Sequence, residues 1–387
     1  MNQKRLYLDY NATAPLRPEA RAALSDALDA VGNASSVHGE GRAARARVET
    51  ARAEVATLVG GEAKLVTFTS GGTEANNTVL TPDWTRAGKP HPVERLFVGA
   101  TEHPSVLAGG RFPPERVRQI PVDHNGIIDL DALRTMLAGE GGRVLVSVMV
   151  ANNETGVIQP VATVAAIARE AGALVHADAI QAVGRIPVEI GALGVDALTL
   201  SAHKIGGPQG AGAIVRANED LAFRPLLTGG GQERRSRAGT ENVAAIAGFG
   251  VAARLALADL DAVHGWSALR DGIASLISGS GRKVTVFGSA VDRLPQTLCL
   301  AVAGISAETL VIALDLAGVA VSSGSACSSG KVAPSHVLAA MAVPPELARA
   351  AIRISLGWES QDSDLDLFAR AWRGVLKHIA PGEIQAA

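Results

Sequence analysis

The sequence predicts an α/β fold with two domains: a large domain whose mainly parallel sheet is covered by helices, and a smaller α+β domain. Short β-rich runs alternate with helical segments as far as about residue 255, which is typical of βαβ units. After residue 256 a long helical stretch leads to strands interleaved with helices. We therefore assign residues 15–255 to the large domain, and residues 1–14 together with 256–387 to the small domain.

An amphipathic helix precedes the first predicted strand of the large domain. Its apolar residues alternate between spacings of four and three, and they are Ala44, Val48, Ala51, Val55 and Leu58. Glycines at 60 and 61 then end the helix. Predicted strands follow at 64–69 (KLVTFT), 95–100 (RLFVGA), 143–150 (RVLVSVMV), 173–178 (ALVHAD), 197–203 (ALTLSAH) and 211–217 (AGAIVRA). Residues 160–172 predict a helix between two of these strands.

The small domain opens with a predicted long helical stretch at 250–279. Its predicted strands lie at 283–288 (KVTVFG), 297–304 (TLCLAVAG), 319–323 (VAVSS) and 352–357 (IRISLG). A C-terminal helix carries one apolar stripe, made by Leu365, Phe368, Trp372, Leu376 and Ile379. We expect the N-terminal arm to join this domain.

Composition and charge are those of a globular protein and do not suggest a nucleic-acid or membrane partner. The chain has 387 residues, of which 47% are hydrophobic and 19% charged, so it can bury a large core. A formal net charge of −2, with Lys and Arg spread along the chain, favours neither a nucleic acid nor an anionic membrane as partner. The longest apolar stretches, such as 309–321, are too short to span a bilayer.

The N-terminal segment and the number of cysteines indicate the cellular compartment of the protein. The segment MNQKRLYLDYNATAP lacks the apolar core of a secretory signal. Two cysteines, Cys299 and Cys327, make no disulfide framework, which fits a reducing environment. We therefore expect a cytoplasmic protein, with Cys299 as a buried residue of an apolar strand.

Ligands of an open α/β sheet bind beyond the carboxyl ends of its strands, so the residues that follow each strand are candidate site residues. The turn at 70–74 (SGGTE) leads into a helix start, where backbone N–H groups and the helix dipole suit a phosphate. His103, Asp178 and Lys204 each follow another strand. Residues 151–156 (ANNETG) also follow one, and we interpret them as a turn that enters a helix.

The order of these residues favours a pyridoxal phosphate (PLP) enzyme. An aspartate such as Asp178 can keep the pyridine nitrogen protonated, so that the ring acts as an electron sink. A lysine at the next strand end, here Lys204, can form the Schiff base with the cofactor. The upstream glycine turn then supplies a phosphate site.

Nine motifs spread over nearly the whole chain also follow the order of one family. They are YLDYNATAP, FTSGGTEANN, TEHPSV, ANNETGV, HADAIQAVGRIPV, SAHKIGGPQGAGA, GGGQERRSRAGTEN, SSGSACSSG and AIRISLG. By these motifs the chain resembles the cysteine desulfurases of the nitrogen-fixation and iron–sulfur-cluster group, which are class V aminotransferases of PLP fold type I. Ala14 and Ala34 depart from the usual threonine and proline, which affects no catalytic position.

The resemblance implies a role for each candidate residue. Lys204 would carry the cofactor, Asp178 would bind its pyridine nitrogen and Gln181 its ring oxygen. His103 would stack on the ring and relay protons. The phosphate would be held by Gly72, Thr73, Ser201 and His203, and by Thr240 from the other subunit of a homodimer. Asn153 would contact the cofactor and would bind the substrate carboxylate together with Arg353.

The same resemblance makes Cys327 the nucleophile that takes the sulfur of L-cysteine, which leaves a persulfide on the enzyme and releases alanine. Serine, glycine and alanine around it give the backbone freedom that a sulfur-carrying loop needs. The thiolate is the reactive form. No intrinsic metal site is expected, although Cys327 could serve as a transient iron–sulfur ligand shared with a scaffold protein.

The sulfur acceptor implied by the resemblance is such an iron–sulfur scaffold, in cluster assembly. The C-terminal segment LKHIAPGEIQAA is shorter than the tail with which housekeeping members dock their scaffold, so docking by a tail is not expected. Two alternatives stay open. One is a selenocysteine lyase or another class V PLP enzyme, which need not have Cys327. The other is a catalytically idle sulfur-relay or scaffold subunit, against which Lys204 and Arg353 argue.

Overall fold

The computed structural model describes residues 5–324 and 335–379. Within them the strands are β1 (Leu6–Tyr7), β2 (Val66–Thr69), β3 (Trp84–Arg86), β4 (Lys89–Pro90), β5 (Arg95–Gly99), β6 (Val117–Ile120), β7 (Val144–Met149), β8 (Leu174–Asp178), β9 (Ala197–Ser201), β10 (Gly212–Arg216), β11 (Leu221–Phe223), β12 (Val284–Val286), β13 (Thr297–Val302), β14 (Val319–Ala320), β15 (Ser322–Ser323) and β16 (Ala351–Ser355). The helices are α1 (Pro18–Leu28), α2 (Gly39–Leu58), α3 (Gly72–Val79), α4 (Pro104–Leu107), α5 (Leu130–Ala138), α6 (Val161–Glu170), α7 (Ile190–Leu193), α8 (Val243–Ala258), α9 (Val263–Ser278), α10 (Ala307–Leu316), α11 (His336–Ala340), α12 (Pro345–Arg349) and α13 (Ser363–Ile379).

A seven-stranded sheet with the order β6-β5-β7-β8-β9-β10-β2 forms the centre of the large domain. The pairings among β6, β5, β7, β8 and β9 are parallel, whereas β10 runs antiparallel to both β9 and β2. The predicted mainly parallel sheet is therefore confirmed. The antiparallel strand follows from the short loop between β9 and β10, because a connection without a helix returns the chain in the opposite direction.

Apolar side chains cover both faces of this sheet. On β7, Val146 and Val148 belong to the core formed with α2, α5, α6 and α8. Leu145, which points to the other face, belongs to the core formed with α3 and α4. Because side chains of a strand alternate between faces, a strand buried on both sides reads as a continuous apolar run. This explains the sequence pattern of the predicted strands.

Helix α8 packs against α1 and α2 in the outer layer. Gly250 allows this approach, since a Cβ there would lie 2.5 Å from Ala51 Cα. The segment Val243–Ala262 is apolar and long enough to cross a membrane by composition alone, with a mean hydropathy of 1.7. Phe249 and Ala252 within it are fully buried, however, and a core helix passes the same test.

The helical stretch predicted at 250–279 is two helices. Helix α8 ends at Ala258, a 3₁₀ turn spans Asp259–Ala262, and α9 begins at Val263. Asp259 in this turn forms an ion pair with buried Arg17, at 2.5 Å between Nη2 and Oδ2. Apolar periodicity alone does not reveal such a break, because both helices bury apolar side chains.

The small domain is an antiparallel sheet with the order β12-β13-β16-β15, packed against helices. Leu365, Phe368, Trp372 and Leu376 of the stripe predicted on α13 pack in its core, and the rings of Phe368 and Trp372 have centroids 6.2 Å apart. The side chain of Ile379 lies outside the described residues. Strand β1 pairs with β14, and Leu8 belongs to the same core. The N-terminal arm therefore packs on the small domain, while the exact domain boundaries stay a prediction.

Candidate active site

Strands β2, β5, β7, β8 and β9 end around one cavity of about 280 Å³. The predicted site residues that line it are Gly72, Thr73, His103, Asn153, Asp178, Gln181, Ser201, His203, Lys204 and Arg353. Thr240 does not line this cavity and is exposed elsewhere on the subunit. Cys327 lies outside the described residues.

Lys204 ends a 3₁₀ turn, Ala202–Lys204, that directly follows β9. Its Nζ donates to the backbone carbonyls of Asn11 and Ala12, both at 2.7 Å. The backbone oxygen of Lys204 accepts from Arg185 Nη2 at 3.0 Å. The amine is therefore oriented at the cavity wall by the N-terminal arm.

Asp178 is the last residue of β8 and is buried. Its Oδ2 accepts from Asn76 Nδ2 at 2.8 Å, and its Oδ1 accepts from the backbone N–H of Ile180 at 2.9 Å. Burial raises the pKa of Asp178, while these hydrogen bonds and the nearby His103 and Lys204 oppose that shift. A positively charged pyridinium ring would favour the ionised carboxylate further.

His103 lies between β5 and α4 and caps that helix. Its Nδ1 lies 2.8 Å from Ser105 Oγ and accepts from the Ser105 backbone N–H at 3.2 Å. Burial lowers the pKa of His103, an effect opposed by Asp178. The ring is therefore biased towards its neutral form.

A phosphate site is available at the start of α3. This helix follows Gly71, which provides no side-chain cap, so the first amides of the helix are open to a ligand. Gly212 at the start of β10 approaches this turn closely, since a Cβ there would lie 2.5 Å from the Gly71 carbonyl carbon. Thr73, Ser201 and His203 line the cavity nearby. Burial, with help from Lys204 and Arg185, lowers the pKa of His203 to about 4, so this ring is a neutral donor or acceptor.

Gln181 is held at both ends of its amide. Its Nε2 donates to the Asn11 backbone carbonyl at 2.9 Å, and its Oε1 accepts from Arg185 Nη1. Burial lowers the pKa of Arg185 to about 9, with Arg353 as a further cause. Arg185 and Asn11 therefore orient Gln181, and the motifs that contain them gave the only signal for either residue.

Arg353, on β16, is the cation at the small-domain side of the cavity and is only 2% exposed. Its Nη1 donates to the Asn153 backbone carbonyl at 3.0 Å, and its Nη2 pairs with Asp9 Oδ1 at 2.8 Å. Its Nε is buried and has no hydrogen-bond partner among the described residues. Because the guanidinium lines the cavity and is held in a fixed orientation by these contacts, it suits an incoming carboxylate.

The turn after β7 does not enter a helix, contrary to our interpretation of residues 151–156. Asn152 Oδ1 accepts from the backbone N–H groups of Glu154 and Thr155, each at 2.9 Å, and Ala151 forms a β-bridge with Ile158. Such a side-chain turn reverses the chain instead. The reversal places Asn153 at the cavity and leaves the helix to start at Val161.

Glu154 in this turn is a buried carboxyl outside the predicted site. Its Oε2 accepts a hydrogen bond from Ser335 Oγ. Burial raises the pKa of Glu154 to about 7, although Ser335 and Arg353 oppose the shift. Between pH 4.5 and about 7 the unfolded chain releases this proton and the native chain keeps it, so the contribution of Glu154 to stability decreases as pH rises through this window.

We therefore expect Glu154→Gln to stabilise the protein more at pH 8 than at pH 5. The difference in the free energy of unfolding should be at most about 3 kcal/mol, because one pKa unit corresponds to about 1.4 kcal/mol. Denaturant unfolding of the variant and the parent at both pH values measures it. Glu115→Gln, at an exposed position, is the control. An equal change at the two pH values would contradict the assignment.

Comparisons with known proteins place the chain in a family. The aminotransferase class-V family model matches residues 6–368. A cysteine desulfurase of Cereibacter sphaeroides is 44% identical over 371 residues, which are 94% of this chain and 93% of the relative. The X-ray structure of a NifS-like protein from Rickettsia africae ESF-5 has a TM-score of 0.86 and 35% identity, covering 96% of this chain and 99% of that one. A structure of SspA in complex with cysteine has a TM-score of 0.73 and 25% identity, covering 91% and 98%.

The chain therefore belongs to the class V aminotransferase family, and its fold is that of the PLP-dependent enzymes of type I. Within the family it is similar to the cysteine desulfurases, and its cofactor is PLP. The predicted fold class and cofactor are confirmed. The side chains present fit this cofactor, since one cavity brings together an amine at Lys204, a buried carboxylate at Asp178 and the open helix N-terminus at Gly72.

Proposed function

We propose that the protein is a cysteine desulfurase that removes the sulfur of L-cysteine, releases L-alanine and leaves a persulfide on Cys327. The observation that carries this proposal is the cavity shared by Lys204, Asp178 and Arg353, which offers sites for PLP and for an amino acid carboxylate together. The cysteine desulfurase similarity of the whole chain supports the same reaction.

The residues around the cofactor have separate tasks. When bound, PLP supplies an electron sink that stabilises negative charge at the substrate α-carbon. Asp178 would hold the proton of the pyridine nitrogen, because its buried carboxylate faces the cavity. Lys204 would attach the cofactor and, once released, exchange protons at the α-carbon. Gln181 would donate the second N–H of its amide to the ring oxygen.

Arg353 and Asn153 would orient the substrate. The guanidinium of Arg353 lines the cavity and would bind the substrate carboxylate, and Asp9 keeps it in place through Nη2. The solved structure of SspA holds cysteine, and we propose the same amino acid as the substrate here. Binding at this end would leave the substrate sulfur open to the nucleophile.

Asp178→Asn is expected to retain the cofactor but to lose most of its turnover, by a factor on the order of 10². The amide cannot keep the pyridine nitrogen protonated, so the electron sink weakens. Steady-state alanine formation at saturating L-cysteine measures the loss, and the cofactor absorbance checks that PLP is still bound. Asp196→Asn is the control, because Asp196 directly precedes β9 at the opposite end of the sheet from the cavity. Turnover of Asp178→Asn near that of the parent would move the role to another residue.

The persulfide on Cys327 would pass its sulfur to an acceptor, and we propose an iron–sulfur scaffold protein in the cytoplasm. Cys299, by contrast, is fully buried on β13, and burial raises the pKa of its thiol. A thiol kept protonated is a poor nucleophile. Among the two cysteines, only Cys327 lies in a sequence that suits the reaction.

We also propose a homodimer in which Thr240 completes the phosphate site of the partner subunit. The preceding segment is anchored firmly: Arg52 forms two hydrogen bonds with Glu233, at 2.7 and 2.9 Å, and Glu233 also accepts from the Phe68 backbone N–H. Glu233, with φ of 47°, is in the left-handed region. A strained but anchored segment supports a role in presenting Thr240 at an interface.

If the active site is composite, light scattering should show a dimer at assay concentration. Thr240→Ala should then weaken PLP binding by about tenfold or more, since a hydrogen bond to a charged group is lost. Cofactor titration by absorbance measures the affinity. Thr57→Ala, at an exposed position of α2, is the control. An active monomer with full cofactor affinity would rule out the shared site.

Incubation of the PLP-loaded protein with L-cysteine, with alanine and sulfide assayed together in the presence of a thiol reductant, tests the proposed function. Equal amounts of both products are expected. A selenocysteine lyase would release alanine from L-selenocysteine and little from L-cysteine. An idle relay subunit would release neither, and would lack the yellow colour of bound PLP. Either result would overturn the proposal.

A further inference from the structure

Three polar side chains lie in the central sheet where apolar ones would be expected. Ser147 on β7, His176 on β8 and Thr199 on β9 are all fully buried. They occupy the face of the sheet that packs against α3, two residues after apolar members of that core on each strand. Buried polar side chains are normally hydrogen-bonded, so we expect these three to bond to one another or to a common partner.

The three side chains form a chain of hydrogen bonds that ends on α3. Ser147 Oγ lies 2.8 Å from His176 Nδ1, and His176 Nε2 lies 3.0 Å from Thr199 Oγ1. Thr199 then donates to Asn76 Oδ1 at 2.6 Å. Asn76 is itself fully buried.

At Asn76 the chain branches towards both groups that would contact the cofactor ring. One hydrogen of its Nδ2 goes to Asp178 Oδ2 at 2.8 Å. The other goes to Ser105 Oγ at 3.0 Å, and that hydroxyl lies 2.8 Å from His103 Nδ1. A side chain with two donor hydrogens thus links the carboxylate to the imidazole.

A backbone donor fixes the direction of the chain at its His103 end. The N–H of Ser105 can only donate, and it donates to His103 Nδ1 at 3.2 Å. This nitrogen therefore carries a lone pair, and the nearby Ser105 hydroxyl donates to it as well. The serine oxygen is then free to accept from Asn76 Nδ2, which turns Asn76 Oδ1 towards Thr199.

The same reasoning sets the hydrogen on the buried histidine. Thr199 has a single hydroxyl hydrogen, which goes to Asn76, so its oxygen accepts from His176 Nε2. Burial lowers the pKa of His176 to about 3, so the ring is neutral and Nδ1 accepts from Ser147. Every hydrogen bond then points from the sheet core towards the cavity. In the reverse direction the Ser105 hydroxyl would donate to Asn76, and His103 would carry its hydrogen on Nδ1. That hydrogen would then face the Ser105 backbone N–H, which lies 3.2 Å from Nδ1 and can only donate.

We propose that this one-directional chain of hydrogen bonds, which starts at Ser147 and branches at Asn76, keeps the hydrogen of neutral His103 on Nε2. Protonation of Nδ1 would bring its hydrogen against the Ser105 N–H and hydroxyl, so the chain also opposes the imidazolium form. His103 is then a donor at Nε2 rather than a base there. Ser105, Asn76 and His176 are positioning residues in this arrangement.

Other titratable groups of the described residues also act on the pKa of His103. Burial is the main cause of its lowered pKa, to which Lys204 and His336 contribute, while Asp178 acts in the opposite direction. Of these groups only Asp178 is linked to Ser105, through Asn76. The consequence for turnover, that proton removal from the substrate falls to Lys204, rests on the proposed function. The position of the hydrogen does not depend on it.

Nitrogen-15 NMR of the holoenzyme labelled at histidine tests the proposal, because the two neutral tautomers give different ring nitrogen shifts. We expect His103 and His176 both to carry hydrogen on Nε2 throughout the neutral pH range. Their signals are assigned by their loss in His103→Gln and His176→Gln. A neutral His103 with hydrogen on Nδ1 would overturn the proposal, even if desulfurase activity were established. A failed activity assay would leave the tautomer result standing.

Ser105→Ala tests whether the Ser105 hydroxyl controls the protonation of His103 or only fills space. Loss of the hydroxyl donor should raise the proton affinity of His103 about three- to tenfold and allow both tautomers, as followed by the same signals across a pH titration. Ser105→Thr, which keeps a hydroxyl at this position, should show the same His103 titration as the parent. Thr199→Val, which cuts the chain further away, should shift His103 in the same direction by less. An unchanged titration in Ser105→Ala would contradict the proposal, and this test holds whether or not Thr199→Val folds.

Discussion

Lys204→Ala should abolish turnover, by a factor on the order of 10³ or more, and should remove the absorbance of lysine-bound PLP. The variant lacks the amine that carries the cofactor, which in the parent donates hydrogen bonds to the Asn11 and Ala12 carbonyls. The fold should persist, because Lys204 is only partly buried. Absorbance spectra, alanine formation and a thermal melt measure the three expectations.

Two further variants control this result. Lys64→Ala removes a lysine that pairs with Glu62 and Glu219 before β2, at the opposite end of the sheet, and should leave activity unchanged. Lys204→Arg keeps a positive charge but supplies no amine, and should be as inactive as the alanine variant. Full activity in either Lys204 variant would contradict the assignment of this residue.

Cys327→Ala should bind PLP and respond spectrally to L-cysteine, but should form neither persulfide nor alanine. Early steps need only the residues of the cavity, whereas C–S cleavage needs a sulfur nucleophile. Cys327→Ser should fail as well, because a hydroxyl is scarcely ionised near neutral pH and cannot form the S–S bond of a persulfide. Alanine release and persulfide labelling are the measurements, and activity in either variant would disprove the role.

Cys299→Ala is the matched control for the second cysteine. Cys299 is fully buried and lies opposite Arg353 in the register of β13 and β16. Its replacement should cost about 1 kcal/mol of stability from lost packing and leave the reaction largely intact. A loss of activity equal to that of Cys327→Ala would show that the two cysteines act together.

Sequence reasoning located much of the site because strand ends are visible in a sequence. Asp178 and Lys204 directly follow apolar runs, and the carboxyl ends of parallel strands meet at one edge of the sheet, so their convergence could be predicted from the sequence. Arg353 gave no such signal. It lies inside the buried strand β16, and only the family motif AIRISLG pointed to it.

The supporting residues could not be predicted from local patterns. Asn76 lies inside a helix and His176 inside a strand, where a polar residue by itself indicates nothing about its partner. Their link depends on the register that sets Asp178 beside Thr199. Asn11 reaches the cavity from the far end of the chain, and long-range contacts of this kind are decided by tertiary packing.

In the fold, too, some features could be predicted from the sequence and others could not. Apolar runs predicted six strands of the large sheet but missed β6, whose Arg118 and Gln119 are exposed and leave no apolar run. They also did not predict the antiparallel direction of β10, which depends on how its loop connects. The helical stretch at 250–279 predicted helix but not the break at Asp259–Ala262, because an ion pair with Arg17 leaves no mark on apolar periodicity. Side-chain patterns therefore specify elements better than they specify how the chain turns between them.

Peptide mass spectrometry after a brief pulse of L-cysteine, without reductant, tests the central claim most directly. Cys327 should gain the mass of one sulfur atom, with one alanine released for each sulfur bound, and the peptide containing Cys299 should be unchanged. Lys204→Ala treated in the same way should show no added sulfur. Sulfur on Cys299, or alanine released with no sulfur on Cys327, would contradict the mechanism.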